Sequence, residues 1–270
     1  MLRGASAEAL AELTKQVEGA SSAATLADQA TLGEQLFGVV AVLRGDAALR
    51  RALTDNSVEG DSKAGLAKAV FGSAAGDTTV ALVADAASRR WTGTRDLADV
   101  LERLAVIVTV RSAGAKGKQV GDELFAVGRF LDSNPELRSA LSDLTRSAGD
   151  RSALVTGLMS GQLQPATETL VVQAISRGQG RVDSALNEFL DVAAEALEET
   201  VVTVHTATEL SEADQQRLAD SLSRQYSTTV QLHVVLDPSL IGGLRVEIGD
   251  DVIDGSVSSR LDDARRRIAG

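Results

Sequence analysis

Leu36-Phe37-Gly38-Val39-Val40-Ala41-Val42-Leu43-Arg44-Gly45-Asp46-Ala47-Ala48-Leu49-Arg50-Arg51-Ala52-Leu53-Thr54-Asp55 decides how this chain is built, because the chain carries the same pattern twice. At 124–143, Leu124-Phe125, Val127, Leu131, Leu137-Arg138, Ala140-Leu141 and Asp143 match Leu36-Phe37, Val39, Leu43, Leu49-Arg50, Ala52-Leu53 and Asp55 at a constant offset of 88 residues. Apolar residues three and four apart predict a helix in each copy. Gly45-Asp46 breaks the first helix, and Asp46 suits the N-cap of a shorter one. Asn134 holds the Asp46 position in the second copy, followed by Pro135 in the first helical turn. A gapless match through helix, break and helix points to duplication rather than to chance likeness of Ala/Leu-rich helices. A looser match pairs Asp61 with Asp150, Ser88-Arg89 with Ser176-Arg177, and Leu97 and Leu101 with Leu186 and Leu190.

Outward from the repeat, Leu10, Leu13 and Val17 predict a first helix over 5–18, with Ser6 as its cap and residues 19–22 as its break. Between the copies, Leu97, Val100, Leu101, Leu104, Ile107 and Val108 predict one long helix that closes the first bundle and opens the second. The β-branched run Val106 to Val110 would suit a strand, but the helical spacing begins before it. Trp91, at a helix end, reads as a core plug, and Gly114 to Gly121 as a breakable stretch. Leu186, Phe189, Leu190, Ala193 and Leu197 close the second copy on a helix.

Past residue 200 the period changes from helical to alternating. Val202, Val204 and Thr206 predict a strand; a polar helix follows from Ser211 to about Arg224, with Leu218 and Leu222 inward. Val230, Leu232, Val234 and Leu236 predict a second strand, and the two form a strand–helix–strand unit. Leu244, Val246 and Ile248 alternate with Arg245 and Glu247, Gly249-Asp250 offers a two-residue hairpin turn, and Val252-Ile253 returns. Gly242-Gly243 turns the chain before the hairpin, Asp254-Gly255 ends it, and Ser256 can cap a final helix carrying Val257, Leu261, Ala264 and Ile268 inward. The expected fold class is mainly α with a small α/β tail: duplicated helical bundles, then a β-α-β-β-α domain.

The chain has 270 residues, 44% of them hydrophobic but only 3% aromatic, so its core must be built from Ala, Leu and Val. A net charge of −11 argues against a nucleic-acid footprint and against direct docking on anionic lipid. Cysteine is absent, which removes disulfides and thiolate metal sites. No apolar run has the length of a membrane span and the start has no hydrophobic signal core, so membrane association is expected through partners only.

The remaining motifs fall short of a reaction centre. Gly117-Lys118 is the nearest approach to a phosphate loop, yet Ser112 stands where the first Gly belongs and Gln119 where the hydroxyl belongs. Arg177-Gly178-Gln179-Gly180-Arg181 follows a helix rather than a strand, which suits a helix end better than a dinucleotide loop. His205 and His233 are expected on the more exposed faces of their strands, with no third ligand in view. Asp250-Asp251 and Glu198-Glu199 read as turn and surface charges. Catalytic, cofactor-binding and metal residues are therefore all expected to be none.

Asp237-Pro238-Ser239-Leu240-Ile241-Gly242-Gly243, Ile248-Gly249-Asp250 and Val252-Ile253-Asp254-Gly255-Ser256 fall in that order within twenty residues. Together they resemble the C-terminal signature of the delta subunit of F-type ATP synthases, the oligomycin-sensitivity-conferring protein family. The resemblance covers about 105–270 and includes Leu124-Phe125 and Asn134-Pro135-Glu136-Leu137. It implies a six-helix domain plus an α/β domain, in a stator protein that ties the catalytic head to the peripheral stalk and resists rotor torque. It also implies N-terminal helices of the alpha subunits as partners of the helical domain, and the C-terminus of the b subunit as partner of the tail, at the cytoplasmic face of the cell membrane. Asp237, Pro238, Gly242, Gly243, Gly249, Asp254, Gly255 and Ser256 are then structural signature residues. The implied division is 1–95, an extra bundle as in actinobacterial members; 96–199, the family bundle; and 200–270, the α/β domain. A helical adaptor unrelated to ATP synthase is the alternative.

Overall fold

The computed structural model describes residues 2–159, 161–177, 182–197, 199–226, 229–240, 242–248 and 251–254. The chain divides into two compact units, Met1–Ala193 and Ala194–Gly270.

The first unit is helical: α1 (Ala5–Ala23), α2 (Leu26–Gly45), α3 (Ala47–Thr54), α4 (Gly60–Phe71), α5 (Asp77–Ser88), α6 (Asp96–Ser112), α7 (Gly117–Ser133), α8 (Pro135–Ser142), α9 (Ala148–Met159), α10 (Pro165–Ser176) and α11 (Val182–Ala196). A short 3-10 turn, Gly114–Lys116, joins α6 to α7. The offset of 88 holds far beyond the quoted stretch. Both ends of α3, α4 and α5 map onto both ends of α8, α9 and α10, and the end of α2 onto the end of α7. At this offset Asp61 faces Gly149, so the looser pairing of Asp61 with Asp150 is one residue out of step.

The hydrogen bonds repeat with the helices. Gln35 Oε1 accepts from Gly76 N at 2.9 Å and from Thr79 Oγ1 at 2.6 Å. Glu123 Oε2 accepts from Gln164 N at 2.8 Å and from Thr167 Oγ1 at 2.6 Å. Asp55 Oδ1 holds Ser57 through its N–H and hydroxyl, and Asp143 Oδ1 holds Thr145 in the same way. A buried cation serves each copy: Lys63 Nζ donates to the Arg89 carbonyl, and Arg151 Nη1 to those of Leu141 and Ile175. These cations hold the carbonyl-rich ends of helices, where the macrodipole is negative.

Helix α6 is buried nearly all round, from Leu97 to Val110, which suits a helix with neighbours on every side. Its β-branched run stays helical because tertiary packing outweighs local propensity. Against α2 the approach is close: a Cβ on Gly33 would meet Thr109 Oγ1 at 2.4 Å. Trp91 is 2% exposed and its indole N–H donates to the Ala86 carbonyl at 3.0 Å, the expected plug.

Three helix ends differ from expectation. Helix α1 runs through the Gly19–Ser22 break to Ala23, because Val17 and Ser21 are buried against the bundle and packing offsets the cost of Gly19. Ser6 lies inside α1 rather than at its cap; its hydroxyl donates to Asp96 Oδ2 at 2.6 Å and accepts from Thr92 N at 2.8 Å, pinning α1 to the loop before α6. Asp46 caps α3 through Ala48 N and Leu49 N as expected, but Asn134 makes no such cap. Pro135 restricts the residue before it, and the Asn134 amide turns back to the Phe130 carbonyl at 2.8 Å.

The second unit contains β1 (Glu199–Thr206), α12 (Glu212–Tyr226), β2 (Thr229–Leu236), β3 (Leu244–Ile248) and β4 (Asp251–Asp254). The sheet order is β2-β1-β3-β4, with β1 parallel to β2 and the other pairs antiparallel. Val202, Val204, Val230, Val246 and Ile248 form one core with Leu222 of α12, and Leu218 packs against it. Ile248 pairs with Asp251, which places a two-residue connection at 249–250. The turn residues themselves and the expected final helix lie outside the described residues.

Candidate partner-binding surfaces

The signature run is a piece of architecture. Asp237 Oδ1 accepts from Ser239 N at 2.9 Å and from its hydroxyl at 2.6 Å, and these bonds hold the Asp237 carboxyl below its ordinary pKa, the hydroxyl first. Asp237 N donates to the Thr206 carbonyl at 2.8 Å, which ties the turn to the end of β1. Pro238 stands inside this turn, and Gly243 takes a φ of 84°, a region that favours glycine, just before β3. Gly242 precedes it in extended geometry, and Asp254 ends β4 opposite Arg245. Gly249, Gly255 and Ser256 lie outside the described residues. The described members of the set place β3 beside β1; they converge on no common cleft.

The two histidines share one face of the sheet. Thr203 pairs with His233 and Glu247, and His205 with Val235 and Arg245. His205 Nε2 stands 3.4 Å from Glu247 Oε1, and Arg245 Nε 3.3 Å from the same oxygen. His205 is half-buried, but His233 is only 3% exposed, which corrects the expectation of an exposed position. Alternation in β2 suggested one wet face; in the fold Gln231, His233 and Val235 are buried as well as Val230. Among the described residues no group of three His, Asp or Glu side chains could hold a metal ion. Gly117 begins α7 as a buried helical residue, a packing position rather than a phosphate cradle.

Among the described residues, the helices of the first unit converge on concave surfaces. One, of about 400 Å3, lies where the end of α1 meets α2 and the start of α5. Another, of about 310 Å3, lies at the seam of the two repeats among Phe37, Arg44, Glu102, Gln173 and Arg177. At that seam Arg44 grips Glu102 bidentately, at 2.5 and 2.7 Å, and reaches Asp99 at 3.1 Å. Arg177 Nη2 stands 3.3 Å from Glu102 Oε2, the oxygen that also accepts from Arg44 Nη2, and Arg177 also pairs with Glu188. Phe37 and Phe189 pack beside this network with ring centroids 6.2 Å apart. Burial opposes the charge of Arg44, but the hydrogen bonds and charges of Glu102 and then Asp99 raise its pKa overall. The sequence carried one faint sign of this network, a glutamate inside the apolar run of α6; its two arginines come from 58 residues before and 75 after it.

The described residues define a mainly α protein, a duplicated helical scaffold followed by a small mixed sheet. The family profile described as ATP synthase delta (OSCP) subunit matches residues 105–268. A Nocardioides protein named ATP synthase subunit delta is 47% identical over 270 residues, covering 100% of this chain and 98% of its own. Proteins of the same name from Kineococcus radiotolerans and Streptomyces coelicolor are 42% and 38% identical, each covering at least 97% of both chains. Among solved structures, a chain of the Toxoplasma gondii mitochondrial ATP synthase hexamer covers 61% of this chain and 96% of its own, at 18% identity and a TM-score of 0.34. On the sequence matches, this chain belongs to the ATP synthase delta (OSCP) family. The profile begins within α6, whereas the relatives match across the first repeat as well.

Proposed function

We propose that this chain is the delta subunit of a proton-translocating F-type ATP synthase, a peripheral-stalk protein that links the catalytic head to the membrane sector. The observation that carries this reading is full-length identity of 47% to a protein of that name, on top of the family profile. It serves an enzyme complex without performing chemistry: its task is to hold the head still against rotor torque. Residues 1–95 are an added bundle, 96–199 the bundle shared with the family and 200–270 the α/β domain. The helical bundles receive N-terminal helices of the alpha subunits in grooves between helices, read by anchors at i, i+3, i+4 and i+7. The 200–270 domain meets the C-terminus of the b subunit. Several modest grips on one body add through effective concentration. Among the described residues no helix is long and apolar enough to cross a membrane, which suits a peripheral position at the cytoplasmic face. The test removes the chain from its host and measures proton-driven ATP synthesis in membrane vesicles, then adds the purified chain back. Coupling should fall on removal and return on addition; vesicles that stay fully coupled without the chain defeat the reading.

A further inference from the structure

We propose that β1 and β3 carry a pH-sensitive latch: a proton on His205 of β1 makes an ion pair with Glu247 of β3 and docks the β3–β4 hairpin more firmly. The device belongs to the second unit alone and does not depend on what the chain is attached to.

The sheet order β2-β1-β3-β4 means that the hairpin meets the strand–helix–strand half through β1. That join runs in register from Thr206 opposite Leu244 to Val202 opposite Ile248. On the side of α12 it is held by apolar packing among Val202, Val204, Val246, Ile248 and Leu222. On the other face it meets charge. There His205 lies opposite Arg245 and diagonally across from Glu247, within reach for a cross-strand pair. His205 Nε2 stands 3.4 Å from Glu247 Oε1, and Arg245 Nε 3.3 Å from the same oxygen. Arg245 Nε has no hydrogen-bond partner, so its hold on that oxygen is Coulombic only. Arg245 and Glu247 also share one strand, and their contact does nothing to tie β3 to β1. The contact from His205 crosses the join.

The surroundings of the imidazole are acidic. From β3 it meets Glu247 and Arg245, and β4 places Asp254 in register with Arg245. Asp237 follows the end of β2. Behind its bonds from Ser239, the Asp237 carboxyl is held low by the charges of Arg245 and then His205, which puts it within reach of both. His233, also on β2, pairs with Thr203 rather than with His205. Among the described residues three carboxylates thus surround one guanidinium, and a charged imidazole brings them nearer to balance. The His205 side chain is 18% exposed, so water screens the pair only in part.

Imidazoles change charge near neutral pH, where carboxylates stay ionised. A partner that meets only the charged form stabilises the join below the imidazole's titration, and that contribution is lost as pH rises through it. Acidification from about pH 8 to about pH 5.5 therefore tightens the hairpin.

The chain has two histidines, so isotope-labelled histidine gives two Cε1 resonances in the full-length protein, and His205→Gln assigns them. The His205 resonance should titrate with a midpoint about half a pH unit lower in Glu247→Gln than in the parent, the size expected of a partly exposed pair. Hydrogen exchange reads the hairpin. Protection factors of the β3 and β4 amides should rise about three-fold from about pH 8 to about pH 5.5 in the parent, the fold-change that such a midpoint difference corresponds to. The rise should vanish in Glu247→Gln and in His205→Gln. Glu212→Gln, an equal charge change at the exposed start of α12, should keep it. An unchanged midpoint in Glu247→Gln overturns the proposal. So does a parent whose hairpin protection ignores pH, a rise that survives His205→Gln, or equal loss of the rise in Glu212→Gln.

Discussion

Glu102 is 6% exposed and lies between two arginines that come from different repeats. A carboxylate at such depth is tolerated because both its oxygens are met by guanidinium donors. Removing it strands Arg44, whose remaining partner Asp99 is half-exposed. Glu102→Ala should therefore cost about 3 kcal/mol or more in urea unfolding, the usual penalty for breaking a buried pair from one side. Asp55 and Asp143 act at the same scale but at the surface. Each carboxyl is held below its ordinary range, by the hydroxyl of Ser57 or Thr145 first and by the backbone N–H second. A depressed folded pKa stabilises above the unfolded value and loses that contribution as pH falls through the folded one. The double variant Asp55→Ala, Asp143→Ala should thus be less stable at neutral pH. Its Tm should also fall less between pH 6 and pH 3 than that of the parent.

At the scale of elements, each repeat hangs the start of its fifth helix on one side chain of its second. Gln35 does this for α5 and Glu123 for α10, with the same donors at the same spacing. Thr79 is 1% exposed, so its hydroxyl has no water to turn to when Gln35 is lost. Gln35→Ala should cost roughly 1–3 kcal/mol, the penalty of a buried group left unmet. Gln35→Glu, which copies the second repeat, should cost far less; equal losses for the two would show that the acceptor is not what matters. The repeat was legible in sequence because buried apolar positions recur at helical spacing. Gln35 with Glu123 was not, since a polar residue in a helix carries no mark of what it will meet.

At the scale of the whole molecule, α6 decides what can be removed. It is apolar on the side facing the first repeat and on the side facing the second, with Leu97, Leu101, Leu104 and Val108 all fully buried. A chain begun at residue 96 would present to water the surface that α2 now covers. We expect such a truncation to aggregate or self-associate in size-exclusion chromatography, while residues 1–193 alone should elute as a compact monomer with a cooperative unfolding transition. The described signature residues, by contrast, lie in the second unit, at the turn before β3 and at the end of β4.

Periodicity, composition and one internal repeat were enough to determine a duplicated helical protein with a small α/β tail, and the run from Asp237 to Ser256 was enough to point to the family. Those features are local or recur along the chain, so one dimension carries them. What only the tertiary structure decided was which polar groups meet. The salt network around Glu102, the burial of His233 and the meeting of His205 with Glu247 depend on residues brought together from distant parts of the chain, or on a second face being covered. Hydrophobic burial tolerates many partners and so leaves a periodic trace. A hydrogen bond needs one partner at one distance and angle, and the chain does not announce that partner until it has folded.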